Sequence, residues 1–344
     1  MSKDFWRNET IAVMGGGAWG SVLVHLASAH VKEVRLWVRS EDIAREMNST
    51  HQNSKYLPGL ELRNNVRAFS EMSQLFDSPI RAILWVLPSR ATRGRAKEMA
   101  SFMTGEELII HATKGVEEGT LKRVSTVLLE ELPCLRVGAL SGPNLAKEIA
   151  DGEPAATVIA SSYEEVIEAG THILSSEKFS VFGGRDLIGV EWAGALKNIL
   201  AIASGALDAI GMGRNVRALL ISRGIAEMVR FGEAMGAQRE TFLGLAGVGD
   251  LLATCSSDLS RNYRVGYRLG KNEKLTSIIR DIQSTAEGVR TTKYVWEYAR
   301  ERGILMPITH GVYQMIMGEA SVEQVLDSLT ESHFKSRLYE WKPA

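Results

Sequence analysis

A run of glycines set between a strand and a helix restricts the fold of this chain more than any other feature. Thr10–Met14 (TIAVM) is a short β-branched and apolar stretch of the kind that fills a buried parallel strand. Gly15-Gly16-Gly17-Ala18-Trp19-Gly20 follows at once, and residues 21–29 carry a helical pattern. Gly15, Gly17 and Gly20 therefore spell G-x-G-x-x-G between a strand and a helix. Each has a steric reason there. The first makes the tight turn, the second lets backbone approach a pyrophosphate, and the third lets the helix lie close on the strand. The helix start adds free N–H groups and the positive end of its dipole. A bare glycine motif is weak in a chain with 32 glycines. The flanking strand and helix make it a dinucleotide motif.

Strands and helices then alternate. Further strands are expected at residues 33–38, 81–87, 108–112, 135–140, 155–160 and 178–182, with helices at 89–103, 120–131, 145–150 and 163–174. This predicts an α/β domain: a Rossmann-like, doubly wound parallel sheet with helices on both faces. Ligands of such sheets sit beyond the carboxyl ends of the strands. Pro88, Thr113-Lys114-Gly115 and Ser141-Gly142-Pro143-Asn144 fall at those ends. Lys114 is either a contact to a phosphate or substrate oxygen or a solvated loop lysine, and its place favours the first. The second strand ends in Arg39-Ser40, where NAD enzymes usually carry an acid for the ribose hydroxyls. Arg39 suits a 2′-phosphate, so NADP is accommodated and modestly favoured over NAD. The other reading leaves Arg39 in water and gives the ribose to Glu41 or Asp42.

The strand signal fades after Gly184, and a boundary is expected near residues 185–187. That gives an NAD(P)-binding domain at 1–187 and an all-helical substrate and catalytic domain at 188–344. The second domain opens with a helix predicted at 188–211. From Ala193 to Leu207 its side chains are small and apolar, broken by one charge, Lys197, with Asn198 beside it. The helix neighbours of Lys197 at three and four positions are Ala193, Gly194, Leu200 and Ala201, none of them an acid. A helix apolar on nearly every side is usually buried. A lysine in it either snorkels to a surface or has a chemical task. Further helices are expected at 214–235, 240–245 and 291–302, and after Pro307. Gly247-Val248-Gly249-Asp250 marks another helix start, where Asp250 is either a cap or a carboxylate aimed into a cleft. Ser260-Arg261-Asn262 opens one more, and a guanidinium fork beside free N–H groups makes a phosphate receptor. The alternative is a solvated basic face, to which Arg264 and Arg268 are assigned.

The bulk numbers exclude several classes. A net charge of −1 offers no global field to nucleic acid or an anionic membrane. Cys134 and Cys255 are the two cysteines, and the seven histidines are scattered, so neither a disulfide framework nor a metal site is expected. The polar N-terminus leads straight into a strand, and no stretch of 18 uncharged apolar residues occurs. No signal peptide and no membrane span are therefore expected, and the location read from this is cytoplasmic.

Several motifs in order carry a family likeness: the glycine loop, Ala112-Thr113-Lys114-Gly115, Leu140-Ser141-Gly142-Pro143-Asn144, Gly194-Ala195-Leu196-Lys197-Asn198, Gly247-Val248-Gly249-Asp250-Leu251, Ser260-Arg261-Asn262, Glu287-Gly288 and Met306-Pro307-Ile308-Thr309. Over residues 10–318 the chain resembles the bacterial NAD(P)-dependent glycerol-3-phosphate dehydrogenases. The resemblance implies a Rossmann-like domain followed by an all-helical one, in a homodimer. It implies interconversion of dihydroxyacetone phosphate and sn-glycerol 3-phosphate, feeding phospholipid synthesis. Carried over by position, Lys197 is similar to the proton donor and acceptor, and Lys114 to a contact with both substrate and cofactor. Gly142, Asn144, Asn198, Asp250, Ser260, Arg261 and Asn262 match substrate positions. Ala18, Trp19, Arg39, Ala146, Thr285 and Glu287 match cofactor positions, and Arg261 matches both. Asn144 stands where Ser or Thr is common, and Gly16 where Ala is common. Two other readings compete. One is a hydroxyacid dehydrogenase, which shares the Lys-Asn pair but should receive a carboxylate. The other is a dinucleotide sensor without catalysis, which has no use for Lys197, Asp250 and Arg261 together.

Overall fold

The computed structural model describes residues 3–282 and 286–331. They form two compact units: Met1–Gly194 with Glu240–Asp250, and Ala195–Arg239 with Leu251–Ala344. The first unit thus runs past the expected boundary at 187 and takes back a later segment ending at Asp250.

Among the described residues the first unit holds ten strands: β1 (Thr10–Met14), β2 (Glu33–Trp37), β3 (Gln52–Asn53), β4 (Leu57–Glu61), β5 (Val66–Phe69), β6 (Ala82–Trp85), β7 (Leu108–His111), β8 (Val137–Ser141), β9 (Ala155–Ser161) and β10 (Phe179–Gly184). Eight make one sheet in the order β10-β9-β8-β7-β6-β1-β2-β5, and β3 pairs with β4 in a separate ribbon. β1 lies at the switch between β2 and β6, parallel to both, with Thr10 opposite Glu33 and Ile11 opposite Ala82. Its residues divide by alternation. Ile11 and Val13 pack with Val22 and Leu23 of the helix Ala18–Ser28 and with Val166 and Ile173 of the helix Glu164–Leu174. Ala12 and Met14 pack with Ala96 and Met99 of the helix Ser89–Ala100 and with Val124 and Leu128 of the helix Val124–Glu131. Two buried faces require strands apolar on both sides, which is why they read as continuous hydrophobic runs.

The sheet departs from an all-parallel one at β9, which pairs antiparallel to β8, while β10 runs parallel to β9. The connection between β8 and β9, residues 142–154, holds only the short helix Ala146–Ala150, and β9 returns directly alongside β8. β3 to β5 are absent from the sequence reading for local reasons. β3 has two residues, and Pro58 and Gly59 (φ 89°) sit inside β4, where they imitate a turn.

Every described element of the second unit is helical. The helix Leu187–Ala209 begins in the first unit and belongs to the second from Ala195 onward. It ends two residues earlier than expected, at a turn closed by Gly211 with φ 77°. By length and composition it could cross a membrane, yet 89% of its most apolar stretch is buried. Its close packing depends on glycine. A Cβ at Gly205 would meet the Tyr263 carbonyl oxygen at 2.0 Å, and one at Gly266 would meet the Ile202 carbonyl oxygen at 1.8 Å. The helices Leu187–Ala209 and Arg261–Gly270 therefore touch backbone to backbone. Nearby, the helix start at Pro307 is capped from outside its own sequence. Buried Glu227 accepts the N–H groups of Ile308 at 2.5 Å and Thr309 at 3.1 Å.

Gly266→Ala is expected to lower stability by about 1–3 kcal/mol, whereas Gly94→Ala, exposed in a helix with nothing within 4 Å of its added methyl, should raise it by up to about 1 kcal/mol. Urea-unfolding midpoints of the two variants check this, and equal shifts would contradict the packing account.

Candidate active site

The glycine loop has the geometry its spacing demands. Gly15 takes φ 121°, and a Cβ there would stand 3.0 Å from the Val86 carbonyl oxygen. A Cβ on Gly20 would stand 1.9 Å from the Gly15 carbonyl oxygen, so the helix can lie on the turn only without one. Gly17 is exposed, and nothing lies within 4 Å of the place its Cβ would take. The helix Ala18–Ser28 that follows has no side-chain cap and no acid in its first turn. Its leading N–H groups, from Ala18 and Trp19 onward, suit an anion, and the residues present fit a dinucleotide pyrophosphate. Trp19 packs 6.4 Å from Phe179, ring to ring, and its indole Nε1 has no hydrogen-bond partner among the described residues. Arg39 is exposed just beyond β2, before the helix Glu41–Thr50. Gly16 has its own explanation: a methyl there would come 2.4 Å from Val38 Cγ1, so the valine occupies the space an alanine would need.

At the carboxyl ends of β7 and β8 the first unit gathers a charged cluster. Lys114 Nζ lies 2.5 Å from Asp250 Oδ2 and donates to the Gly142 carbonyl at 3.0 Å. Asp250 is buried, and its carboxylate meets this lysine directly. It follows a π-helical turn, Leu245–Gly249, the type of irregularity that often marks functional positions. Gly194 makes room for the cluster, since a Cβ would stand 3.1 Å from Ser141 Oγ and 3.4 Å from Lys114 Cγ. The Asn144 amide meets the Thr157 hydroxyl at 2.9 Å, which ties the end of β8 to β9. Ala146 begins the helix that follows.

A buried network that the sequence reading missed anchors this region. Glu191 accepts from the Ser125 N–H at 2.8 Å and the Ser125 hydroxyl at 2.6 Å, pairs with Arg123, and lies 3.0 Å from His111 Nε2. His111 closes β7 three residues before Lys114, and Thr113 donates to the Leu87 carbonyl at 2.6 Å. The strand end that presents Lys114 is thus fixed from two sides. Nothing in the spacing of His111, Arg123, Ser125 and Glu191 signals their meeting, because three separate elements supply them.

The second unit carries its own cluster. Lys197 is 5% exposed, and its Nζ donates to Thr254 Oγ1 at 2.5 Å. Asn198 is equally buried. A Cβ on Gly288 would lie 2.8 Å from both the Asn198 carbonyl oxygen and Asn262 Oδ1, so the helix start at Glu287 packs against both. Asn262 accepts the Gly288 N–H at 3.1 Å, which turns its NH2 group the other way. Ser260 caps the Arg261–Gly270 helix through the Tyr263 N–H at 3.3 Å, and Arg261 is exposed at its first turn. Lys197 is therefore not a snorkelling surface lysine. Thr254 was missed, although its spacing of four from Asp250 places the two on one helix face. Thr285 lies outside the described residues. Among them, no three His, Cys, Asp or Glu side chains gather as metal ligands.

The comparisons agree along nearly the whole chain. Residues 10–167 match the family model for the NAD-dependent glycerol-3-phosphate dehydrogenase N-terminus, and residues 186–327 that for its C-terminus. The chain is 42% identical to an NAD(P)+ glycerol-3-phosphate dehydrogenase of Acinetobacter baumannii, across 95% of this chain and 91% of that one. It is 40% identical to one of Leuconostoc mesenteroides, across 95% and 98%. The crystal structure of glycerol-3-phosphate dehydrogenase from Coxiella burnetii superposes with a TM-score of 0.89 at 33% identity, covering 94% of this chain and 99% of that one. Fold and relatives define the class: an oxidoreductase acting on a CH–OH group with NAD or NADP. Within that class, the chain belongs to the NAD-dependent glycerol-3-phosphate dehydrogenase family.

The Glu191 network makes a pH prediction. Burial pushes this carboxyl up, but the His111 ring, Arg123 and Ser125 outweigh it and hold it down at about 2. Its folded value lies below its ordinary 4.5, so the stability it contributes is present above pH 4.5 and is lost as pH falls toward 2. Glu191→Gln should cost about 3–5 kcal/mol at neutral pH, with the gap to the unaltered chain narrowing below pH 4.5 in urea titrations. A gap that stays constant down to pH 3 would contradict the network.

Proposed function

We propose that this chain interconverts dihydroxyacetone phosphate and sn-glycerol 3-phosphate, with Lys197 as proton donor and acceptor. The observation that carries this is a buried lysine amine held at 2.5 Å by Thr254 on a helix otherwise small and apolar. The names of the relatives support the substrate. The nicotinamide would supply the hydride. In the reductive direction, C2 of the ketone gains that hydride while negative charge grows on its oxygen. Lys197 as an ammonium stabilises this oxygen and gives it a proton, and in reverse the neutral amine takes the proton from the C2 hydroxyl. Thr254 keeps the amine in one place, so little reorganisation is needed when the charge develops.

Lys114 and Asp250 complete the catalytic set in this reading. The ion pair between them fixes Lys114, which contacts substrate and cofactor, and Gly142 and Asn144 line the same strand ends. Ser260, Arg261 and Asn262 would receive the substrate phosphate, and binding at that remote group aligns C2 for transfer. The NH2 of Asn262, turned from Gly288, is a donor suited to it. Asn198 supports this region through its contact with the Gly288 helix start. The dinucleotide would lie on Gly15, Gly17, Ala18, Trp19 and Gly20, with Ala146, Thr285 and Glu287 as further contacts. Arg39 supports NADPH over NADH, since an exposed guanidinium beyond β2 can take a 2′-phosphate. By family likeness the enzyme is read as a cytoplasmic homodimer whose product feeds phospholipid synthesis.

Loss of reduced-nicotinamide absorbance with dihydroxyacetone phosphate, and not with hydroxyacid-type carbonyls, tests the reaction. Lys197→Ala should lower kcat by about 10²- to 10⁴-fold while NADPH binding persists; near-normal turnover would remove it from the chemistry. Arg261→Ala should act differently, raising KM for the phosphorylated substrate by about tenfold or more. An unchanged KM in that variant would place the phosphate elsewhere.

A further inference from the structure

The β3–β4 ribbon places a buried side chain against the glycine loop. Asn53 in β3 is 1% exposed. Its Nδ2 donates to the Gly16 carbonyl at 2.9 Å and to Ser21 Oγ at 2.8 Å. An amide NH2 has two hydrogens, so both donors are used on the loop and the helix after it. Its Oδ1 is buried with no hydrogen-bond partner among the described residues. A buried acceptor left unmet is unfavourable, so the gain from this side chain lies in its two donors.

We propose that Asn53 is a positioning residue that sets the Gly16–Gly17 peptide plane and, through it, the affinity for the dinucleotide. This rests on the reading of the glycine loop as the dinucleotide site. In a trans peptide the carbonyl of one residue and the N–H of the next point in opposite directions, and the described chain has no cis peptide bond. Holding the Gly16 carbonyl toward Asn53 therefore turns the Gly17 N–H away from it. The side of Gly17 where a Cβ would stand is open. The next peptide is set independently, because the Gly17 carbonyl accepts the Ser21 N–H at 2.9 Å. Both planes flanking Gly17 are thus fixed, one by the helix and one by Asn53. Two adjacent glycines have little resistance of their own to rotation. Without the amide, the Gly16–Gly17 plane can turn and bring a carbonyl oxygen, not an N–H, toward a phosphate.

The test uses the full chain with NADPH as probe. Asn53→Ala removes the amide, and Asn53→Asp keeps its shape while removing its donors. Both should weaken NADPH, measured by fluorescence titration, by about tenfold. With NADPH saturating, kcat and the KM for dihydroxyacetone phosphate should stay within about threefold, a split that a loss of general structural integrity does not produce. Should Asn53→Ala fail to fold, Asn53→Asp carries the test. A folded variant with unaltered NADPH affinity overturns the proposal, as does a fall in kcat without a change in affinity. An unaltered chain that binds no NADPH overturns the dinucleotide reading itself, which is a different result from binding that the variants leave intact.

Discussion

Keeping an amine inside a helix of alanine, leucine and glycine is the constraint on which the second unit is built. Removing a charge from water costs several kcal/mol unless hydrogen bonds compensate. Thr254 provides one such bond to Lys197. The compensation holds only if the surrounding backbones come close enough to fix the geometry. Glycine makes that approach possible: Gly205 and Gly266 let two helices touch along their backbones, and Gly288 brings a helix start onto Asn198 and Asn262. Small residues on this helix therefore do more than fill space. They set how finely the amine is held, and positioning within a fraction of an ångström is what a proton transfer requires.

The first unit solves a different problem by different means. Its loops at the strand ends have to be fixed although they carry few side chains that could pack. The glycine loop is defined by contacts that forbid a Cβ, at Gly15 and Gly20. The Lys114 loop is defined by polar anchors: Asp250 and the Gly142 carbonyl on the lysine, Leu87 on Thr113, and Glu191 beside His111. Glu191 is buried with its charge because His111, Arg123 and Ser125 surround it in place of water. Its hydrogen bonds come from Arg123 and Ser125, and His111 Nε2 stands 3.0 Å from it as a charge partner.

Periodicity and glycine spacing made most of the fold legible in the sequence. The strands that fill the sheet interior are apolar on both faces, and the helices that cover them show a clear repeat, so both were readable to within a few residues. What escaped reading was the polar helix Glu41–Thr50, the helix Leu275–Ile282 and otherwise elements that are short or nonlocal. β3 has two residues, β4 is interrupted by Pro58 and Gly59, β5 carries the exposed Arg67 in an otherwise apolar run, and the reversal at β9 is a pairing between strands that no local pattern records. Lys114, Lys197 and Asp250 could be singled out because a charge stood beside glycine or in apolar surroundings, and Asn262 because it follows Ser260 and Arg261 at a helix start. Glu191, His111 and Thr254 could not, since an acid, a histidine or a threonine on a helix or strand is unexceptional until its partner is known. Asn144 shows the same limit from the other side: its amide is engaged by Thr157, a residue thirteen positions away on an antiparallel strand.

The glycine loop shows why single positions are a poor unit of comparison within such a fold. Gly16 departs from the alanine common at its place, and taken alone it looks like a loosening of the loop. The space is not empty, because Val38 Cγ1 stands 2.4 Å from where the methyl would be. An alanine at 16 therefore requires the Val38 side chain to shift, so the two positions are coupled. The same exchange alters what restrains the peptide. Glycine at 16 gives up the steric limits of a side chain, so orientation has to come from outside the loop. Asn53 supplies it through the Gly16 carbonyl. A loop that reads as three glycines is thus one surface of a set that includes Val38 just beyond β2, Ser21 in the helix and Asn53 in the ribbon. Its competence to receive a phosphate is a property of that set.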